Sequence, residues 1–268
     1  MRLVIYEWCC SGGLPGAGSG AVAEFAVEGR AMVEAVAADA VRDGRFEVVA
    51  VVDEAQPLDL PTEVVIRTVP PGGEIAALTT EAARADVTLV IAPETDGLLA
   101  DRVARVRAAG GCPLACDAPF LELAADKQAT VTALAAAGVP VAAGRSLAAG
   151  EPWPEGFHRP AVTKSRHSAG CDGLVFVEEG DRPVVATMSL RIEAFVPGMP
   201  VGVSCLCGPE GVSCLPPLRQ VFSPAPSVRY LGSEAIADGG IRRRAEWLAT
   251  RAVIAVARAS GGAARGWG

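Results

Sequence analysis

Lys127 and Lys164 are the two lysines of a chain whose other cationic residues, out of 24 in all, are arginines. Where arginine serves for every other positive charge, a retained lysine points to a role that needs a compact ammonium and not a planar fork. Lys164 ends the β-rich run Ala161-Val-Thr-Lys164 and leads into Ser165-Arg166-His167-Ser168-Ala169-Gly170-Cys171-Asp172-Gly173. A small-residue loop of this kind can lay its amides on phosphate oxygens while the lysine supplies a point charge. The plain alternative is an exposed hairpin with solvated charges. Lys127 follows Asp126, a good N-cap, in the first turn of a helix expected to run to Ala137 and close at Gly138 before Pro140.

Other chemistries find less support. Gly16-Ala17-Gly18-Ser19-Gly20-Ala21 fits the G-x-G-x-x-A form of a dinucleotide fingerprint and precedes a helix. Seven residues separate it from Trp8, however, so the tight strand-to-helix turn that brings amides to a pyrophosphate is missing. A Gly-rich loop over a ligand, or a purely structural loop, fits better than a nicotinamide or flavin site. No G-x-x-x-x-G-K-[ST] sequence occurs, which excludes a P-loop. The eight cysteines show neither C-x-x-C nor zinc-ligand spacing with His158 and His167, and read as reduced, small buried hydrophobes.

Composition narrows the class further. At 50% hydrophobic and 21% charged residues, the chain is neither a disordered tail nor a small disulfide scaffold. A net charge of -7 argues against nucleic acid as the main partner. No apolar run reaches the roughly 18–20 residues that span a bilayer, so the expectation is a soluble cytoplasmic protein without a membrane partner.

Elements that would position the lysines follow from periodicity. In the first half, β-rich runs at 2–8, 46–52, 64–69 and 88–92 alternate with helical stretches at 21–42, 74–84 and 98–109. That alternation implies βαβ units and a parallel sheet, with ligands beyond the carboxyl ends of its strands, at residues 7–20 and 93–96. The second half is an α+β pattern. A helix at 126–137 precedes short strands at 161–164, 174–177, 184–195, 201–207 and 212–215, and a last helix spans 241–259. The Pro-rich residues 151–160 read as a loop between elements. A domain boundary falls near residue 120, giving domains 1–120 and 121–268.

Three features in order resemble the ATP-grasp superfamily of carboxylate–amine ligases over residues 120–268. They are Asp126-Lys127 opening a helix that ends in Gly138-Val139-Pro140, then the strand and loop from Lys164 to Gly173, then Glu193-Ala194-Phe195-Val196-Pro197-Gly198. Glu7 with Ser11-Gly12-Gly13, and Ala92-Pro93-Glu94-Thr95-Asp96-Gly97, resemble the partner domain of one branch, the ATP-utilising ligases that include tyramine–glutamate ligase. The resemblance implies an α/β chain: a Rossmann-like pre-ATP-grasp domain, then an α+β ATP-grasp domain. It implies ATP with Mg2+, a small acid and an amine as partners, and a homodimer as the assembly common among such relatives. Lys127 and Lys164 would contact phosphates, Ser168, Ala169 and Gly170 would cover them, and Glu193, Phe195 and Val196 would receive adenine. Arg219 and Gln220 would lie near the acyl-phosphate, and Glu7, Gly12, Gly13, Glu94 and Asp96 near the substrates. The family's magnesium carboxylates follow the last helix, whereas no acidic residue follows Glu246 here. The expectation is therefore a domain incomplete at its C-terminus, in a truncated chain or in a relative that binds ATP without turnover.

Overall fold

A computed structural model describes the chain except residues 15–19, 159, 169–170, 172–173, 181–185, 225–227, 262–265 and 268, and except the side chains of 20–25 and 266–267. The Gly16–Ser19 stretch of the glycine-rich motif, together with Ala169 and Gly170 of the proposed phosphate cover, lies outside the described residues. The chain divides into two units: Met1–Pro93 with Gly97–Ala115, and Glu94–Asp96 with Cys116–Gly268.

The first unit is built on a wholly parallel sheet in the order β3-β2-β1-β4-β5, formed by β1 (Arg2–Glu7), β2 (Glu47–Asp53), β3 (Val65–Val69), β4 (Val87–Ile91) and β5 (Pro113–Leu114). The centres of β1 and β2 are buried on both faces, as their unbroken apolar runs anticipate. Leu3, Ile5, Val48, Ala50 and Val52 pack against Val33, Ala37 and Ala40 of helix α1 (Gly20–Asp43). Each buried Val, Leu or Ile side chain contributes about 1.5–3 kcal/mol relative to exposure. Helices α2 (Glu74–Ala82) and α3 (Leu98–Ala108) supply Glu74 and Arg102, which meet at the buried Tyr6 on the other face.

Glu7 ends β1 on the α1 face and is 3% exposed. Its Oε2 accepts from the Cys10 amide at 2.8 Å, inside a short π-type turn at Cys9–Gly13. Burial, then the Glu7 carboxylate, pushes the Cys9 thiol up to about 12, and the same causes raise Cys10. Helix α1 can cross this carboxylate because residue 29 is glycine: a Cβ there would lie 2.4 Å from Glu7 Oε2.

In the second unit, α4 (Ala118–Ala125), α5 (Lys127–Ala136) and α6 (Gly239–Ser260) pack together through Phe120, Leu134 and Val256. A four-stranded sheet has the order β6-β9-β7-β8, from β6 (Gly144–Leu147), β7 (Ala161–Ser165), β8 (Val175–Val177) and β9 (Leu190–Ala194). One three-stranded sheet joins β10 (Val201–Gly202), β13 (Leu218–Phe222) and β14 (Tyr230–Ala235). Another joins β11 (Cys205–Gly208), β12 (Gly211–Cys214) and β15 (Gly266–Trp267).

Two strand expectations are corrected. The run 201–207 is not one strand, because β10 pairs with β13 while β11 pairs with β12, and the change of partner breaks the ladder at Val203 and Ser204. The run 184–195 contributes only β9, with residues 186–189 non-strand and 184–185 outside the described residues. The loop at 151–160 does lie between strands, as expected.

Gly29→Ala tests the close approach over Glu7. An exposed helical Gly→Ala change normally stabilises by about 1 kcal/mol. Here it should destabilise by roughly 1–3 kcal/mol, as overpacking does, read as a lower urea midpoint. A rise would contradict the packing described.

Candidate functional site

Strand register builds the site. In an antiparallel sheet, directly paired residues share a face. Ser146, Arg191 and Lys164 are paired across β6, β9 and β7, so they form one row. Gly144, Glu193, Val162 and Phe176 form the next row on the same face. The opposite face carries Leu147, Leu190 and Ile192, which pack with Trp153 and Phe157. One face is thus apolar core, and the other gathers charge.

Glu193 is held at both oxygens. Lys164 Nζ lies 2.6 Å from Oε2, and Arg191 Nε donates to Oε1 at 2.7 Å. Burial raises the Glu193 carboxyl, but the hydrogen bonds from Lys164 and Arg191 outweigh it and hold the group below the usual carboxylate range. Arg191 is 1% exposed. Its second nitrogen donates to Gln128 Oε1, which also accepts from Ser146 Oγ at 3.2 Å.

Gln128 follows Lys127 at the start of α5, so this contact fastens the helix to the charged face. Asp126 caps the helix, accepting from the amides of Gln128 at 2.9 Å and Ala129 at 3.1 Å. Arg166, just past β7, donates to Asp126 Oδ1 at 2.7 Å, and its carbonyl accepts from the Lys127 amide at 3.2 Å. Lys127 Nζ donates to the Ser168 carbonyl. Burial, then the Lys164 charge, lowers the Lys127 pKa. Lys127, Lys164, Arg166 and Arg191 stand with the carboxylates of Asp126 and Glu193, and Glu94 also acts on Lys127, which leaves a small excess of positive charge.

An apolar cavity of about 520 Å³ adjoins this face, lined by Phe176, Phe195, Val196, Met199, Pro200 and Phe222 among others. The Phe176 and Phe195 rings meet edge to face at 4.9 Å. Phe176 shares its sheet row with Glu193, so the cavity and the charged face belong to one surface of the sheet. Phe195 and Val196, which follow Glu193 closely in the chain, line this cavity.

Arg219 and Gln220, expected together, point to opposite faces of β13 because adjacent strand residues alternate. Gln220 lines a second cavity of about 570 Å³ with Ser204, Tyr230 and Ser233. Arg219 is exposed and 3.5 Å from Glu234 on β14. In the first unit, Glu7 is buried, Gly12 adopts φ +86, and the Trp8 ring lies so close to Gly13 that a Cβ would be 2.1 Å from Trp8 Nε1. Glu94 and Asp96 are exposed around a short 3-10 turn in which Asp96 has φ +53.

Sequence reasoning missed Arg191, Gln128, Phe176 and Phe222. The available signal for Arg191 was a charge between Leu190 and Ile192, two residues before Glu193 and so on the same strand face.

A parallel-sheet unit followed by an α+β unit with small antiparallel sheets is the architecture of ATP-grasp proteins. The chain belongs to that family: residues 124–262, more than half of it, match the ATP-grasp domain model, and residues 46–119 match the pre ATP-grasp 3 domain. Its fold resembles an ATP-grasp superfamily protein from Archaeoglobus fulgidus with TM-score 0.70 and 18% identity, over 100% of this chain and 74% of that one. It resembles L-amino acid ligase from Bacillus licheniformis with TM-score 0.62 and 15% identity, over 95% of this chain and 59% of that one. For D-alanine–D-alanine ligase from Bacillus anthracis the TM-score is 0.59 at 15% identity, over 98% and 79% of the chains. No curated protein sequence matches the chain. No helix among the described residues is long and apolar enough to cross a membrane.

The Asp126 cap has a pH signature. Hydrogen bonds from Arg166, opposed by burial and aided by the Ala129 amide, hold its carboxyl at about 2. The folded value lies below the ordinary one near 3.9. Its contribution to stability is therefore present above about pH 4 and fades as pH falls towards 2. Asp126→Ala should cost about 1–2 kcal/mol at pH 7, the size of a lost cap. The gap in urea midpoint from the parent should narrow below pH 4; a constant gap would contradict the ionised cap.

Proposed function

We propose that the chain binds ATP in its second unit and joins a carboxylate to an amine. The observation that carries the reading is Lys164 and Lys127 gathered on the sheet face that also holds Glu193 and the Phe176–Phe195 cavity, within a chain of the ATP-grasp family.

An adenine nucleotide fits what is present. A cavity of about 520 Å³ with aromatic walls accommodates a purine by apolar burial. Glu193 offers acceptor oxygens to an exocyclic amine, while Lys127 and Lys164 offer ammonium groups to phosphates. Bound ATP would supply the phosphoryl group: its transfer to the carboxylate gives an acyl-phosphate and ADP, and the amine then attacks the acyl carbon, expelling phosphate and giving up a proton as the amide forms. The lysines neutralise charge on the transferring phosphoryl group. Ser168, Ala169 and Gly170 are the proposed phosphate cover, and Gln220 is the better placed of the Arg219–Gln220 pair to face a ligand.

Substrate contacts are proposed at Glu7, Gly12, Gly13, Glu94 and Asp96. The tyramine–glutamate ligase-like branch, with glutamate as acid and an aromatic amine as nucleophile, rests on those motifs. Magnesium differs from ATP: among the described residues, no three His, Cys, Asp or Glu side chains are grouped to hold a metal ion, so no ligand is put forward for it here.

ATP should raise the thermal unfolding midpoint, and Lys164→Ala or Lys127→Ala should each weaken ATP affinity about tenfold or more, as loss of a charged hydrogen bond does. ADP release should require both an acid and an amine, with glutamate and tyramine as the first pair to try. ATP binding without ADP release under any acid–amine pair would overturn the ligase reading and support a nucleotide-binding protein. Stabilisation by NADH and not by ATP would overturn both.

A further inference from the structure

Resting on the nucleotide reading above, we propose that Arg191 is a positioning residue that keeps Glu193 ionised and in place when Lys164 leaves it for phosphate. Lys164 Nζ is 2.6 Å from Glu193 Oε2, and a phosphate that draws this ammonium outward weakens or breaks that contact. If Lys164 were the sole counter-ion, nucleotide binding would strand a mostly buried carboxylate, which is strongly unfavourable. Arg191 removes that difficulty. It holds the other oxygen, Oε1, at 2.7 Å from a side chain that is 1% exposed and cannot lose its proton.

The local structure accommodates the guanidinium. Nε serves Glu193, and the nitrogen on one branch serves Gln128 beside Lys127. The remaining nitrogen, Nη2, is buried and has no hydrogen-bond partner among the described residues. Residue 144 is glycine where a Cβ would stand 3.0 Å from that nitrogen and 2.2 Å from the Ile192 carbonyl, so the neighbouring strand leaves room for the guanidinium. One side chain thus links the carboxylate expected to meet adenine with the helix start that carries a phosphate lysine. Arg191 itself does not contact the nucleotide; it acts through Glu193 and Gln128.

The test is a double-mutant cycle on ATP affinity, measured by titration calorimetry on the full chain, with unfolding of the unliganded variants followed in parallel. Arg191→Met should weaken ATP about tenfold or more. Arg191→Lys, which retains a cation, should restore affinity to within about threefold of the parent. In the Glu193→Gln background, which carries no charge to strand, adding Arg191→Met should change affinity less than about threefold. Equal losses in both backgrounds, or no rescue by lysine, would overturn the proposal in favour of a general structural role. Should Arg191→Met fail to fold, Arg191→Gln in the two backgrounds decides: a loss confined to the Glu193 background supports the proposal, and equal losses overturn it. Unchanged binding by Arg191→Met would sink the proposal while leaving the nucleotide reading intact, whereas no binding by the parent chain would overturn both.

Discussion

Glu193 sits between two cations on neighbouring positions of one sheet face, and the second unit is arranged around that contact. A carboxylate this buried is destabilising unless paired, yet a nucleotide site needs an exposed acceptor and free ammonium groups. The β6-β9-β7 register meets both requirements by placing Lys164 and Arg191 in one row beside Glu193 in the next. Lys164 is the exchangeable partner, 26% exposed, and Arg191 the fixed one. Because Arg191 also grips Gln128, the same contact sets the position of α5 and of Lys127.

The first unit deals with buried charge differently. Tyr6, Glu74 and Arg102 close on one another, with Arg102 donating to both Glu74 oxygens at 2.8 and 3.0 Å. Arg102 also donates to Asp101 at 2.6 Å, and the cluster reads as a clamp between β1 and the helices α2 and α3. Glu7, by contrast, is buried at the carboxyl end of β1, the end at which ligands of parallel sheets bind. Its space under α1 depends on the missing Cβ at Gly29.

The parallel sheet was legible because strands buried on both faces read as unbroken apolar runs, as in Val48 to Val52. The Asp126 cap was legible because capping is a local signal. Strands β13 and β14 were not, since Leu-Arg-Gln-Val-Phe and Tyr-Leu-Gly-Ser-Glu-Ala lack a buried face and gain their order from pairing with each other. Helix α4 escaped notice because its apolar Ala-Pro-Phe-Leu-Glu-Leu-Ala-Ala run shows no clear period. The signal at Arg191 was ambiguous for another reason: a charge in a strand reads as solvent-facing until the register shows what lies opposite it.

The central claim is that Lys164 exchanges Glu193 for phosphate while Arg191 stays. A crystal structure with a non-hydrolysable ATP analogue tests it directly. The account predicts Lys164 Nζ on phosphate oxygens, Arg191 still bonded to Glu193, and adenine in the cavity beside Phe176 and Phe195. A bound analogue with the Lys164–Glu193 pair intact, or with Arg191 swung away from Glu193, would contradict it.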